Sequence, residues 1–264
     1  MPAIPPIGLG TWPMRGPECE AAIASALALG YRHFDTAEMY GNEVEVGRAL
    51  ATTPRETIFL TSKAWWDKPD GPAIRAACHA SLDRLKTPYL DLYLIHWPSP
   101  QLNLPSALEG LAQLREAGLV RAVGVANFPS ALLRQALALN IVPLACDQVE
   151  HHALLPQGPL LAVTEPAGMT LTSYTPLGKG EVPAHPVFAP IAERHGATPA
   201  QVALAWALAQ GRVAVIPKAA SAARQAENLG AANLRLEPAE IAAISAISAR
   251  RRFVDPSFAP EWDA

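Results

Sequence analysis

The sequence predicts a parallel (β/α)8 barrel, an α/β fold of the TIM type, in a single domain covering residues 1–264. Two observations predict it. Short apolar runs alternate with helix-like segments along the whole chain, and no Pro/Gly/Ser-rich linker or change of composition divides it. Strands that each feed a crossover helix close into a barrel of about 250 residues.

The strand candidates are 5–10, 31–35, 57–62, 90–95, 121–125, 144–149, 169–174 and 213–217. After the first comes a helix over 17–29, whose Ala-rich stretch Ala21 to Leu29 is stopped by Gly30. Helices over 43–51 and 72–85 follow the second and third strands, with Pro72 in the first turn of the latter, where its missing N–H has no helical partner to lose. Helices over 105–117, closed by Gly118, and 130–139 follow the fourth and fifth strands. A helix over 157–167 precedes the seventh strand. The pair 187–195 and 199–210 precedes the eighth, with Thr198 as N-cap before Pro199 and Gly211 as stop signal. A helix over 222–228 follows the last strand. Apolar residues at 241, 244 and 247 then predict an extra helix over 238–250, and Phe253, Phe258 and Trp262 suit a tail packed onto the barrel.

An open, doubly wound sheet is the main competing architecture. It calls for G-x-G-x-x-G after the first strand, and Gly8-Leu9-Gly10-Thr11-Trp12-Pro13 lacks the third glycine. The repeat of roughly 25–45 residues also suits a solenoid. No residue-level repeat accompanies it, so barrel closure is preferred.

Half the residues are hydrophobic, 17% are charged and the net charge is −3, so bulk charge gives no reason to expect a nucleic-acid or anionic-membrane partner. No run reaches the ~18 apolar residues of a membrane span, and the start lacks a basic then apolar leader. Cys19, Cys78 and Cys146 lie far apart, which suits a reduced, cytoplasmic protein. No metal site is expected, since His151-His152 is adjacent rather than at ligand spacing. A monomer is expected, for want of a long heptad pattern.

Four ionisable residues stand where strand-like runs stop: Asp35, with Tyr40 in the loop beyond it, Lys63 and His96. In a parallel barrel these ends share one rim. Together they suit protonation of an alkoxide formed by hydride addition to a carbonyl. Tyr40 supplies the proton from a phenol of ordinary pKa ~10. Lys63 favours the phenolate, Asp35 keeps Lys63 charged and aimed, and His96 orients the carbonyl oxygen. A lone Asp, Lys or His at a strand end is more often a cap or an ion pair. The case rests on four matched groups meeting on strands two, three and four.

The motifs go further. Gly8-Leu9-Gly10-Thr11-Trp12, Phe34-Asp35-Thr36-Ala37 with Tyr40 and Asn42-Glu43, and Phe59-Leu60-Thr61-Ser62-Lys63 occur in that order. Leu90-Asp91-Leu92-Tyr93-Leu94-Ile95-His96-Trp97-Pro98, Gly124-Val125-Ala126-Asn127-Phe128 and Ser173-Tyr174-Thr175-Pro176-Leu177-Gly178 follow, then Val215-Ile216-Pro217-Lys218 with Arg224 and Glu227-Asn228. In these residues the chain resembles the aldo-keto reductases over almost its whole length. Its closing Ala259-Pro260-Glu261-Trp262-Asp263 is most similar to the bacterial 2,5-diketo-D-gluconate reductase B type.

The resemblance implies an NADPH-dependent carbonyl reductase with Asp35, Tyr40, Lys63 and His96 as tetrad and Tyr40 as general acid. It implies that Asn127 and Gln148 hold the nicotinamide carboxamide and that Tyr174 stacks on the ring, with Thr175 and Leu177 in the same site. It places Lys218, Ser221, Arg224, Glu227 and Asn228 at the adenosine 2′-phosphate and adenine. Read without it, Asn127 suits a helix cap and Tyr174 a core position. Ala126 and Ala219 stand where many members have serine, which allows NADH as a weaker donor.

Trp12, Trp65 and Trp97, with Met39, fall just beyond strand ends and suggest an aromatic-walled pocket for a small carbonyl substrate. The short loop Gly178-Lys179-Gly180-Glu181 and the short tail predict that this pocket is open and permissive. Two other readings compete. One is a non-catalytic NADPH-binding regulatory subunit; the other is a Schiff-base enzyme using Lys63, which a pairing Asp35 would disfavour.

Overall fold

The computed structural model describes residues 3–263. Its strands are β1 (Leu9–Gly10), β2 (His33–Asp35), β3 (Phe59–Ala64), β4 (Leu90–Ile95), β5 (Val120–Ala126), β6 (Leu144–Glu150), β7 (Thr170–Tyr174) and β8 (Val213–Val215). They pair in chain order, all parallel. Bridges Ile7 to Val215 and Gly10 to Lys218 join the two edges into a barrel. The seam is held by Gly8 N donating to Val215 O at 2.9 Å and Val215 N donating to Pro6 O at 2.8 Å.

The helices are α1 (Gly16–Leu29), α2 (Glu43–Leu50), α3 (Gly71–Leu85), α4 (Leu104–Glu116), α5 (Ser130–Leu139), α6 (Gly158–Thr164), α7 (Glu181–Ala184), α8 (Phe188–His195), α9 (Pro199–Leu208), α10 (Ala222–Gly230) and α11 (Pro238–Ser245). Local chemistry sets several of their boundaries. The Asp70 carboxylate accepts from Ala73 N at the start of α3, and Thr198 with Gln201 forms a reciprocal capping box on α9. Helices α3 and α4 meet backbone to backbone: a Cβ on Gly71 would sit 2.4 Å from Ser106 O, so glycine is required there.

Every expected strand and helix is present; β4 and α5 match their expected bounds and the others have shifted ends. The first strand is shorter than 5–10 because Pro5 and Pro6 have no N–H to give a ladder; Pro6 serves as acceptor only. The strand expected over 57–62 instead runs to Ala64, which places Lys63 inside the sheet. Helix α11 ends at Ser245 rather than 250, and the short α7 after Gly180 was not expected. No described helix is long and apolar enough to cross a membrane. Among the described residues no three His, Cys, Asp or Glu side chains gather as a metal site.

Candidate active site at the strand ends

Strand β2 ends on Asp35, β3 carries Lys63 one residue before its end, and His96 follows the last residue of β4. The register pairs Asp35 with Thr61 and Lys63 with Leu94, so the three side chains arise on adjacent strands at similar height. Tyr40 is brought over them by a single 3-10 turn, Glu38–Tyr40, closed by Tyr40 N on Ala37 O at 3.0 Å.

Lys63 Nζ is the hub. It donates to Asp35 Oδ1 at 2.5 Å, to the Thr36 carbonyl at 2.8 Å and to the Tyr40 hydroxyl at 3.3 Å. All three N–H bonds of the ammonium are therefore used, and Lys63 is fully buried. Burial alone would depress a lysine. The opposed charge of Asp35 with the hydrogen bonds outweighs it, so the ammonium is held above its ordinary value and stays charged.

Tyr40 shows the opposite balance. Burial raises its phenol and the Lys63 charge draws it down, with burial prevailing, so Tyr40 lies above its ordinary value of 10.0 and is protonated at neutral pH. That is the form a proton donor needs. Burial, aided by the Lys63 charge, holds His96 well below 6.5, so its imidazole is neutral. His96 Nδ1 is sealed from solvent without a partner among the described residues. A neutral imidazole beside a buried ammonium can donate a hydrogen bond to a carbonyl oxygen without adding a second positive charge.

A second set of polar residues adjoins this hub. Gln148 Nε2 donates to Asp35 Oδ2 at 2.8 Å, Asn127 Nδ2 donates to the His96 carbonyl at 2.9 Å, and the Tyr174 hydroxyl donates to Asn127 Oδ1 at 2.7 Å. Asn127 and Thr175 both hold left-handed backbone, with φ of 61 and 50. Such conformations just past the ends of β5 and β7 turn the chain sharply there. Leu177 is partly buried against the core beside them.

The residues expected at the far end of a dinucleotide lie after β8. Ser221 caps α10 by accepting from Arg224 N at 3.4 Å. Lys218 and Arg224 are exposed, and neither makes an ion pair with a described residue. Asn228 is buried, and Glu227 is half-buried with its peptide oxygen accepting from Gln201 Nε2 at 3.0 Å. Two unpaired cations beside a helix start suit a phosphate group.

Aromatic rings gather around Tyr40 and His96. Trp12, 45% exposed, lies 5.2 Å from the Tyr40 ring, and Trp65 lies 5.1 Å from His96. Met39 is half-buried between Glu38 and Tyr40 on the same turn. Trp97 is buried and meets two rings of the tail, Phe258 at 5.6 Å and Trp262 at 5.9 Å. Phe258 also stacks on Trp66 at 5.1 Å and meets Trp65 edge-on at 5.6 Å. The tail is thus packed, through Phe258 and Trp262, against the rings that follow β3 and β4.

Four contributors were not foreseen. Glu38 Oε1 accepts from Trp65 N at 2.5 Å, tying the Tyr40 turn to the loop after β3. Trp66 supplies the stacking face for Phe258; a second Trp beside Trp65 was the available signal. Glu150, fully buried, accepts from Phe253 N at 2.7 Å, Val254 N at 2.8 Å and His152 Nε2 at 2.9 Å, fixing the start of the tail. Asp263 fixes its end by accepting from Ser130 N at 2.9 Å and Ser130 Oγ at 2.8 Å.

This geometry agrees with the comparisons to known proteins. The model of the aldo/keto reductase family matches residues 6–249. The chain belongs to the aldo/keto reductase family. It is 42% identical over 254 residues to an aldo-keto reductase of Mycolicibacterium smegmatis, covering 95% of this chain and 92% of that protein. It is 37% identical over 267 residues to the methylglyoxal reductase DkgB of Escherichia coli O157:H7, covering 99% and 100%. A crystal structure assigned as a 2,5-diketo-D-gluconic acid reductase B superposes with a TM-score of 0.95 at 42% identity, covering 99% of this chain and 94% of that one. The aldose reductase of Schistosoma japonicum superposes with a TM-score of 0.89 at 35% identity, covering 94% and 90%. Members of this family reduce carbonyl compounds with a nicotinamide cofactor.

Proposed function

We propose that this aldo-keto reductase uses NADPH to reduce small aldehydes, ketones and dicarbonyls, of the methylglyoxal or 2,5-diketo-gluconate kind, with Tyr40 as the general acid. The observation that carries the reading is the Asp35–Lys63–Tyr40 relay, with Lys63 Nζ at 2.5 Å from one and 3.3 Å from the other, beside neutral His96. When bound, the nicotinamide supplies the hydride. Asn127 and Gln148 offer the amide groups and Tyr174 the ring to hold it. Lys218, Ser221 and Arg224, with Glu227 and Asn228 behind them, suit an adenosine 2′-phosphate.

The protein's own share of the chemistry is proton delivery. His96 orients the carbonyl oxygen toward the Tyr40 hydroxyl. As negative charge builds on that oxygen, the phenol proton moves to it and the phenolate left behind faces the Lys63 ammonium. Asp35 has no path to the substrate oxygen. It keeps the ammonium charged in a site where burial alone would depress it. The relay intact in this form gives no support to a purely regulatory barrel, and a lysine held charged is a poor Schiff-base nucleophile. With this reading goes a monomeric, cytoplasmic enzyme.

The test is a panel of carbonyl substrates with NADPH and NADH, followed by loss of reduced-cofactor absorbance. Turnover of methylglyoxal or a related dicarbonyl, faster with NADPH, is the expected result. No turnover of any aldehyde or dicarbonyl by a folded protein that binds NADPH would overturn the reading.

A further inference from the structure

The loop that carries Tyr40 runs from Thr36, just past β2, to Asn42, just before α2, and its two ends are joined by their side chains. Thr36 Oγ1 donates to Asn42 Oδ1 at 2.6 Å, and both residues are fully buried. Asn42 Nδ2 donates to the carbonyls of Met14 at 2.9 Å and Thr11 at 3.3 Å, in the segment after β1 that carries Trp12. The orientation of the amide follows from these partners. Peptide carbonyls only accept, so Nδ2 faces them, and the oxygen left over makes the Thr36 hydroxyl the donor. Asn42 also stands at the N-cap of α2, where an asparagine ordinarily caps with its side chain. Here it forms no cap bond and is turned inward instead.

The pair bears on the relay through the backbone of Thr36. Its carbonyl accepts from Lys63 Nζ at 2.8 Å, and its N–H donates to Thr61 O on β3 at 2.9 Å. The bond from Lys63 to Tyr40 is the longest that the ammonium makes, at 3.3 Å. With Asp35 and the Thr36 carbonyl holding two of its N–H bonds, the direction of the third is set. It meets the Tyr40 hydroxyl only while the loop over 36–42 keeps its shape. Glu38 holds that loop from the side of β3, through Trp65 N. The Thr36–Asn42 bond holds it at its base, against β2 and the segment after β1. A base set free lets the hydroxyl drift from the ammonium, and charge attraction weakens with distance. The phenolate left by proton transfer then loses its stabilising neighbour.

We propose that Thr36 and Asn42 are positioning residues of proton delivery, a side-chain clamp that keeps the Tyr40 hydroxyl on the Lys63 ammonium. This rests on the carbonyl-reductase reading with Tyr40 as the acid. Neither side chain hydrogen-bonds to Lys63, Tyr40 or His96. They act through the Thr36 carbonyl on Lys63 and through the loop on Tyr40. The clamp therefore governs the chemical step and leaves substrate and cofactor binding alone. Thr36 is the cleaner residue to change, because Asn42 also holds the segment of Trp12, whose ring lies 5.2 Å from that of Tyr40.

The experiment follows methylglyoxal reduction with NADPH, in light and heavy water, by the wild type, Tyr40→Phe, Thr36→Val, Thr36→Ala and Thr36→Ser, beside NADPH affinity by fluorescence titration. Thr36→Val keeps the shape of the side chain and removes the donor. It should lower kcat by about 10- to 100-fold, the scale of a misplaced catalytic group, with KM and NADPH affinity nearly unchanged. Its solvent isotope effect on kcat should exceed that of the wild type, because a hindered proton transfer becomes the slow step. Thr36→Ala should behave as Thr36→Val does, and Thr36→Ser, which keeps the hydroxyl, should recover most of the rate. A loss seen in KM or NADPH affinity, an unchanged isotope effect at reduced kcat, or a serine no faster than the valine would reduce the pair to packing and overturn the proposal. Variants that reach no folded state by circular dichroism would assign the bond to stability and count against it equally. If Tyr40→Phe is inactive while Thr36→Val runs at the wild-type rate, the reductase reading stands and this proposal alone fails. If Tyr40→Phe is as fast as the wild type, or the wild type reduces no carbonyl, both fall.

Discussion

Replacing Asp35 by Asn removes one charge from a pair that solvent does not reach. Asp35 is 1% exposed and Lys63 is 0% exposed. Asp35 uses both oxygens, Oδ1 for Lys63 Nζ at 2.5 Å and Oδ2 for Gln148 Nε2 at 2.8 Å. An Asn has one acceptor, so either Gln148 or Lys63 faces an amide NH2 instead. Breaking a buried pair from one side costs about 3–5 kcal/mol, because the remaining charge is stranded. The pH dependence gives a sharper test. In the wild type the folded Lys63 binds its proton more tightly than the unfolded chain does. That contribution is complete below the unfolded lysine pKa of ~10.4, and it fades as pH rises through the folded value. Without Asp35, burial, already the largest influence, loses its main opposition and depresses Lys63, so the sign reverses and stability rises as pH climbs toward ~10. Urea unfolding of both proteins between pH 7 and pH 10.5, followed by tryptophan fluorescence, reads both effects. A loss under about 1 kcal/mol with the wild-type slope would refute the claim that Asp35 is what keeps Lys63 charged.

Two further outcomes follow from exposed or tail-holding groups. Lys218→Ala and Arg224→Ala should each weaken NADPH binding by about 10- to 100-fold, the range of a charge-assisted hydrogen bond, and leave NADH nearly unchanged; titration of cofactor fluorescence checks this, and equal losses would remove the 2′-phosphate from this place. Glu150→Gln leaves one acceptor oxygen where the carboxylate meets Phe253 N and Val254 N, at a cost of about 1–3 kcal/mol. Hydrogen–deuterium exchange should then quicken across 251–263 while the strands stay protected; unchanged exchange in the tail would contradict the anchoring role.

The barrel was legible because its signals are local. Apolar runs of strand length, proline and glycine punctuation and helical spacing recur along the chain, and each strand has only its chain neighbours to find. Boundaries were less legible where backbone donors decide them, as at Pro5-Pro6, where the strand candidate lost its first residues. The meeting of Asp35, Tyr40, Lys63 and His96 could be read because strand ends converge on one rim, so Asp35, Lys63 and His96 needed no long-range guess. The hydrogen bonds from Gln148 to Asp35 and from Tyr174 to Asn127 were not readable, since they depend on side-chain reach from β6 to β2 and from β7 to the end of β5. The balance at Tyr40 was also hidden. A neighbouring lysine argues for a lowered phenol pKa, but burial prevails, and only coordinates reveal burial. The tail was expected to pack, yet its two anchors, Glu150 and Asp263, were invisible: a lone Glu in a strand and a penultimate Asp carry no signal of their own.

The central claim is that the Tyr40 proton, positioned by Lys63, is what completes carbonyl reduction. Tyr40→Phe keeps the ring packed against Trp12 and His96 and removes only the hydroxyl. Steady-state NADPH oxidation with methylglyoxal, set beside NADPH affinity by fluorescence titration, measures it most directly. The account predicts that kcat falls by about 10²- to 10⁴-fold, the usual worth of a positioned general acid, with cofactor affinity held within about twofold. A kcat near that of the wild type would contradict it.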